Sequence, residues 1–191
     1  MQTKHKTFTV KNICLIGMMS ALVLIFTFIK IDIPTALGKT MLHFGNVMCL
    51  LSGLLFGPVV GGLSAGFGSM FFDLFDPIFA PECWVTFINK FAMGFIAGGI
   101  SLVISRKKLP KVFYVLAAAA GSLSYTFLYL GKTFIEKRII FGYETETVLI
   151  DLATKAITSG IGAVISVTAV SILFFLLRPA LKRAKLFVLD E

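Results

Sequence analysis

The sequence predicts an all-α membrane protein: one bundle of six spanning helices with both termini on the cytoplasmic side. Three observations carry that prediction. First, 57% of the 191 residues are hydrophobic and 15% are charged, with a mean hydropathy of +0.92. A soluble domain usually carries about 25% charged residues. Second, apolar runs of about 15 to 25 residues recur with few interior charges, as spanning helices require. Third, the basic residues cluster at alternate ends of those runs. Lys4, Lys6 and Lys11 precede the first run; Arg106, Lys107, Lys108 and Lys111 share one short loop; Arg178, Lys182, Arg183 and Lys185 follow the last run. That spacing marks cytoplasmic flanks. The acidic residues, except Asp190 and Glu191, fall toward the other side. A single integral membrane domain over residues 1–191 is expected.

Each element has its own warrant. Residues 1–11 read as a basic amphipathic lead at the cytoplasmic surface. The first span covers about 12–29. Its Gly17 and Ala21 form a small-xxx-small pair, which permits close helix contact either within this chain or with a partner. Residues 30–41, KIDIPTALGKTM, are too polar to span, and Pro34 and Gly38 break any helix. Lys39 there is either a lid residue or a solvated loop lysine. The second span, about 42–56, is short, so its outer end is expected below the surface. His43 and Asn46 lie three apart on one of its faces. After a tight Gly57-Pro58 turn the third span covers about 58–75. Gly57, Gly61, Ala65, Ser69 and Asp73 recur every four residues along it, predicting a central, closely packed helix.

Residues 76–83, DPIFAPEC, form an acidic loop punctuated by proline. The fourth span covers about 84–105, with Trp84 suited to the membrane interface and Lys90 about 9 Å further in. The fifth, about 112–135, carries Tyr125, Tyr129 and Lys132 on successive turns. Residues 136–148 are polar and outside. The sixth, about 149–177, carries Asp151 and Lys155 near its start.

These polar positions converge on one half of the membrane. His43, Asn46, Asp73, Asn89, Lys90, Tyr125, Tyr129, Lys155 and Ser159 all fall in the outer half, whereas the inner half is nearly free of charge. A buried charge in lipid costs several kcal/mol unless paired or wetted. A proton or ion path scatters such residues through the full depth, whereas a one-sided cluster reads as a pocket open to the outside. Trp84 is counted among the substrate-binding residues of that pocket. Asp73 with Lys90, and Asp151 with Lys155 at i,i+4, fit ligand contacts or internal ion pairs equally well. Tyr125 and Tyr129 fit a pocket wall or an interfacial belt.

Several functions are disfavoured. Basic residues are not gathered on one face with stacking aromatics, so nucleic acid is not an expected partner. Cys14, Cys49 and Cys83 have no CxxC spacing and no nearby His, so no metal and no cofactor are expected. HExxH is missing, and no catalytic residue is assigned. Two GKT triplets have Ile33 and Thr126 where a phosphate-binding loop needs glycine, so ATP hydrolysis is expected in other subunits. A stand-alone ion-coupled carrier and, more remotely, an intramembrane enzyme built on His43 and Asp73 stand as alternatives.

The run HFGNVMCLLSGLLFGPVVGGLSAGFGSMFFDLF, followed by APECWVTFINKFAMGFIAGGI, resembles the substrate-binding S components of energy-coupling factor (ECF) vitamin transporters. It looks nearest the branch that includes riboflavin-, hydroxymethylpyrimidine- and pyridoxine-type members. The resemblance implies a six-helix bacterial plasma-membrane bundle that binds a vitamin from outside. Delivery would follow by toppling on a transmembrane coupling subunit that carries two cytoplasmic ATPases. It further implies that Gly17 and Ala21 dock that partner and that residues 31–41 form a lid. Asp73, Asn89 and Lys90 match polar positions of the family block. For substrate, a small aromatic heterocycle of pyridoxine or hydroxymethylpyrimidine type is expected first; riboflavin, another B vitamin or a queuosine precursor remains open.

Overall fold

The computed structural model describes residues 9–183; the remainder of the basic lead and the tail from 184 onward lie outside the described residues. Six α-helices and one β-hairpin make up the described chain. They are α1 (Val10–Phe28), β1 (Lys30–Thr35), β2 (Gly38–His43), α2 (Gly45–Phe56), α3 (Pro58–Leu74), α4 (Cys83–Arg106), α5 (Val112–Phe134) and α6 (Thr145–Arg183). A 3₁₀ turn at Ala80–Glu82 leads into α4, and a π turn at Ile135–Ile140 continues α5. Four segments are long and apolar enough to cross a membrane: Val10–Phe28, Ala80–Arg106, Val112–Ile140 and Thr145–Leu181.

The two shorter helices lie inside the bundle or against it. With 12 residues, α2 is about 18 Å long, against a hydrocarbon core of about 30 Å. Every residue of α2 except Asn46 is buried, so protein rather than lipid surrounds it and the mismatch costs little. The third span is closely packed, as expected: the glycines of α3 meet α2 and α4, and its Gly68 meets Ser20 and Val23 of α1, while α2 is the more fully enclosed helix.

Backbone contact between α2, α3 and α4 is possible because of four glycines. A Cβ on Gly53 would meet the Gly94 carbonyl, one on Gly61 the Gly53 backbone, one on Gly94 the Gly61 carbonyl, and one on Gly98 the Gly57 backbone. Such small-residue contacts drive helix association in lipid, where apolar burial offers no advantage. Serine hydroxyls stitch these seams and the one between α1 and α3. Ser20 donates to the Ser64 carbonyl (3.3 Å), Ser52 to that of Gly61 (3.2 Å) and Ser101 to that of Leu54 (2.9 Å). Gly57 joins α2 to α3 with φ +84°, a conformation that side chains disfavour, and Pro58 opens α3 where its missing N–H is harmless.

Residues 30–43 form a hairpin, not the irregular loop expected. Lys30 pairs with His43 and Thr35 with Gly38 across an antiparallel register, closed by the two residues Ala36 and Leu37. Gly38 takes φ +147° at the close of that turn. Leu42 and His43 therefore end β2 and do not begin a helix; α2 starts at Gly45. The hairpin sits at the end of the bundle opposite Gly57-Pro58. Lys107, Lys108 and Arg178 lie at the Gly57-Pro58 end, with the Arg178 guanidinium 4.8 Å from the Tyr114 ring centre.

The glycine seam predicts a sharp contrast between two conservative changes. Gly61→Ala forces a methyl into the Gly53 backbone and should lower stability by about 1–3 kcal/mol. Gly99→Ala has open space around its new methyl and should leave stability unchanged or slightly raised. Thermal unfolding of the two variants in the same detergent measures the difference; equal midpoints would contradict the seam.

Candidate functional site: a hairpin-covered cavity

Below the hairpin the bundle holds a cavity with about 1150 Å³ of empty space, solvent at its mouth included. Its wall comes from β2, α2, α3, α4, α5 and α6. Lys39, His43, Asn46, Asp73, Asn89, Lys90, Tyr125, Tyr129 and Lys155 all line it. The periodicity explains why distant residues meet. Asn46 starts α2, Asp73 ends α3, and Asn89 and Lys90 lie two turns into α4, all at the hairpin end. Trp84 is the exception. It opens α4 on the outer surface, 69% exposed, and does not reach the cavity. Its sequence position fixed its depth but not its face, and the face it takes is that of an interfacial anchor. Gly17 and Ala21 lie far from the cavity, exposed on α1.

The floor is built around Lys90, which is only 2% exposed. Its ammonium donates to the Asn46 side-chain carbonyl and sits 3.7 Å from the centre of the Tyr125 ring. A cation over an aromatic face recovers part of the hydration it loses on burial. Tyr125 and Tyr129 stack at 5.9 Å with an interplanar angle of 11°, as i,i+4 neighbours on one face of α5. Asp73 is 5% exposed and faces Thr86. The direct Asp73–Lys90 ion pair that the sequence allowed is not formed. Asp151 and Lys155 do pair, at 2.9 Å. His43 Nδ1 is buried without a hydrogen-bond partner among the described residues, at the junction of β2 and the cavity.

Three contacts hold the hairpin down, and the sequence linked neither of their acidic partners to it: Asp151 was read only with Lys155. Asp76, just beyond α3, accepts from Lys39 at 2.8 Å and from Lys30 at 3.3 Å. The fully buried Asp151 accepts the Leu37 N–H at 3.0 Å from the hairpin turn. Tyr129 donates to Thr40 at 3.2 Å. Lys39 is thus tied to Asp76 from β2 and is not free in solvent. On the far wall Lys132 bridges Glu82 and Glu136, tying the start of α4 to the end of α5. The signals available in sequence were two lysines in the KIDIPTALGKTM loop and two acids in the next outer loop. No local pattern says which acid meets which lysine. Among the described residues no cluster of His, Cys, Asp or Glu is arranged to hold a metal.

Burial pushes the Asp76 carboxyl up, but hydrogen bonds from Lys39, the Ile78 N–H and Lys30 outweigh it and hold it below the usual carboxylate range. The Asp76 hydrogen bond holds the Lys39 ammonium above its ordinary value. A depressed carboxylate favours the latched hairpin at all pH above the ordinary carboxylate range, and the latch weakens only as pH falls through the depressed value. Hairpin amide protection, corrected for intrinsic exchange, should therefore stay flat from about pH 8 to about pH 5. Asp76→Asn should raise exchange of residues 30–43 several-fold while sparing α2 and α3. Loss of protection near neutral pH, or an unchanged hairpin in Asp76→Asn, would contradict the latch.

Comparison with known proteins agrees with this architecture. Residues 7–178 match the family model described as ECF-type riboflavin transporter, S component. A relative from Pyrococcus woesei, described as an uncharacterized protein in a gap 3′ region, is 33% identical over 113 residues, covering 50% of this chain and 73% of the relative. A family match over nearly the whole described chain, joined to apolar helices around a polar cavity, places the chain by sequence and by architecture together. The chain belongs to the family of ECF-type riboflavin transporter S components, the membrane-embedded substrate-binding subunits of ECF vitamin transporters.

Proposed function

We propose that this chain captures a small aromatic heterocyclic vitamin, or the precursor of one, in the hairpin-covered cavity. The observation that carries the reading is the floor: a stacked tyrosine pair, a buried lysine on one tyrosine face, and the amides of Asn46 and Asn89 beside them. Flat rings bind to such walls by stacking, and a few placed polar groups select among them. Pyridoxine-like and hydroxymethylpyrimidine-like compounds match a floor of this kind. Riboflavin is the second reading, favoured by the description of the family.

The hairpin end faces outside in this reading, and the basic end, with Lys107, Lys108 and Arg178, faces the cytoplasm. Capture then precedes delivery through a coupling subunit with two ATPases, reached by toppling of the loaded bundle. Gly17 supports a docking role for α1. It is exposed, and a Cβ added there meets nothing within 4 Å, so internal packing gives no reason for a small residue. Ala21 lies one turn further on the same face.

Native mass spectrometry of the purified full chain should find one bound heterocycle, and calorimetry across B vitamins and nucleobases should find one tight ligand. Tyr125→Ala should weaken that ligand by about tenfold, the loss of one stacking surface. No binding across the panel would overturn the capture reading. Gly17→Leu should abolish co-purification of the coupling subunit and leave ligand affinity unchanged; retained co-purification would remove α1 from the docking face. ATPase-independent uptake by liposomes holding this chain alone would instead support an ion-coupled carrier.

A further inference from the structure

The charges on the cavity wall are matched with two exceptions. Lys39 has Asp76, Lys155 has Asp151, and Lys132 has Glu82 and Glu136. Lys137 has Glu136 at 3.1 Å. Among the described residues only Lys90 and Asp73 line the cavity without an ion-pair partner, and they are also more than nine-tenths buried. They make no direct ion pair with each other, though each lies within the other's field. Lys90 is held by Asn46 and the Tyr125 face, and Asp73 is turned to Thr86. Structural registry is served by charges that pair, as Asp151 and Lys155 do. A buried cation and a buried anion on one wall, held apart, cost several kcal/mol with no such return.

We infer that the ligand completes this couple. It is an amphoteric aromatic heterocycle, with an anionic or electron-rich oxygen directed to Lys90 and an N–H donor directed to Asp73. The Asn46 carbonyl accepts from Lys90 and so fixes the direction of the ammonium, while the amide's own N–H₂ group is left to donate beside it. Charge-assisted hydrogen bonds at both ends select for a ring carrying an acidic O–H or a ring carbonyl together with an N–H. A ring with only hydroxymethyl groups, or a fully N-alkylated ring, leaves one buried charge unanswered and is rejected. The inference rests on the reading of the cavity as the vitamin site and narrows the chemical class admitted there.

The test uses the purified full chain and matched probe pairs: pyridoxine with its 3-O-methyl ether, and riboflavin with N3-methylriboflavin. Whichever parent binds should lose at least about tenfold in affinity on methylation, because a buried charge loses its partner. In Lys90→Gln the oxygen-methylated analogue should bind as well as its parent, and in Asp73→Asn the nitrogen-methylated analogue should do so, as coupled pairs require. The wild-type comparison stands even if a variant fails to fold. A methylated analogue that binds wild-type protein as tightly as its parent overturns this inference while leaving the capture site intact. Failure of both parents and of every other heterocycle in the B-vitamin and nucleobase panel overturns the capture reading and this inference together.

Discussion

Backbone contact between α2, α3 and α4 is the constraint on which the other features depend. Gly53, Gly61, Gly94 and Gly98 let three helices approach until only glycine fits between them. In lipid such contact supplies dispersion and weak polar attraction that the hydrophobic effect does not. It also allows α2, too short to cross a bilayer, to sit wholly inside protein. Along the same helices, toward the hairpin, polar side chains replace the small ones: Asn46 on α2, Ser69 and Asp73 on α3, Asn89 and Lys90 on α4. One end of the seam is closed packing and the other is the floor of a cavity.

Charges in that half need partners, and the hairpin answers several of them. Lys30 and Lys39 reach Asp76, the Leu37 amide reaches Asp151, and Thr40 reaches Tyr129. Through these contacts the cover is bonded to the loop after α3, to α5 and to α6 separately. The floor and the cover share side chains: Tyr129 holds the hairpin and stacks on Tyr125, and the Lys155 ammonium lies 5.9 Å from the Tyr129 ring centre. In the proposed reading, occupancy of the floor and closure of the cover are linked through them.

Much of this was legible in the residues, because membrane helices announce themselves by composition. The limits of α1, α3, α4 and α5 fell within two residues of those expected, whereas α2 starts at Gly45 and α6 runs from Thr145 to Arg183, beyond the expected 149–177; depth along each helix placed all the proposed wall residues except Trp84 on one cavity. What depth does not give is the face, which is how Trp84 was misplaced. The hairpin was missed because its strands are six residues each, interrupted by Pro34, and paired only with one another. Its latch was missed because Asp76 and Asp151 meet the hairpin across 37 and 114 residues of sequence. The small pair at Gly17 could be assigned an outward face only once the packing of α1 was visible. The likeness to S components, carried by the glycine block and the later Asn89-Lys90, agrees with the family match.

The central claim is that the cavity between α3, α4 and α5, under the hairpin, is where the chain holds its solute. An experimental structure of the chain with its co-purified ligand tests it most directly. Ring density is expected against Tyr125, within hydrogen-bond reach of Lys90 and Asp73, beneath a hairpin still bonded to Asp76. Density in the apolar cleft between Ile29, Phe44 and Ile165, with the cavity floor holding only water, would contradict it.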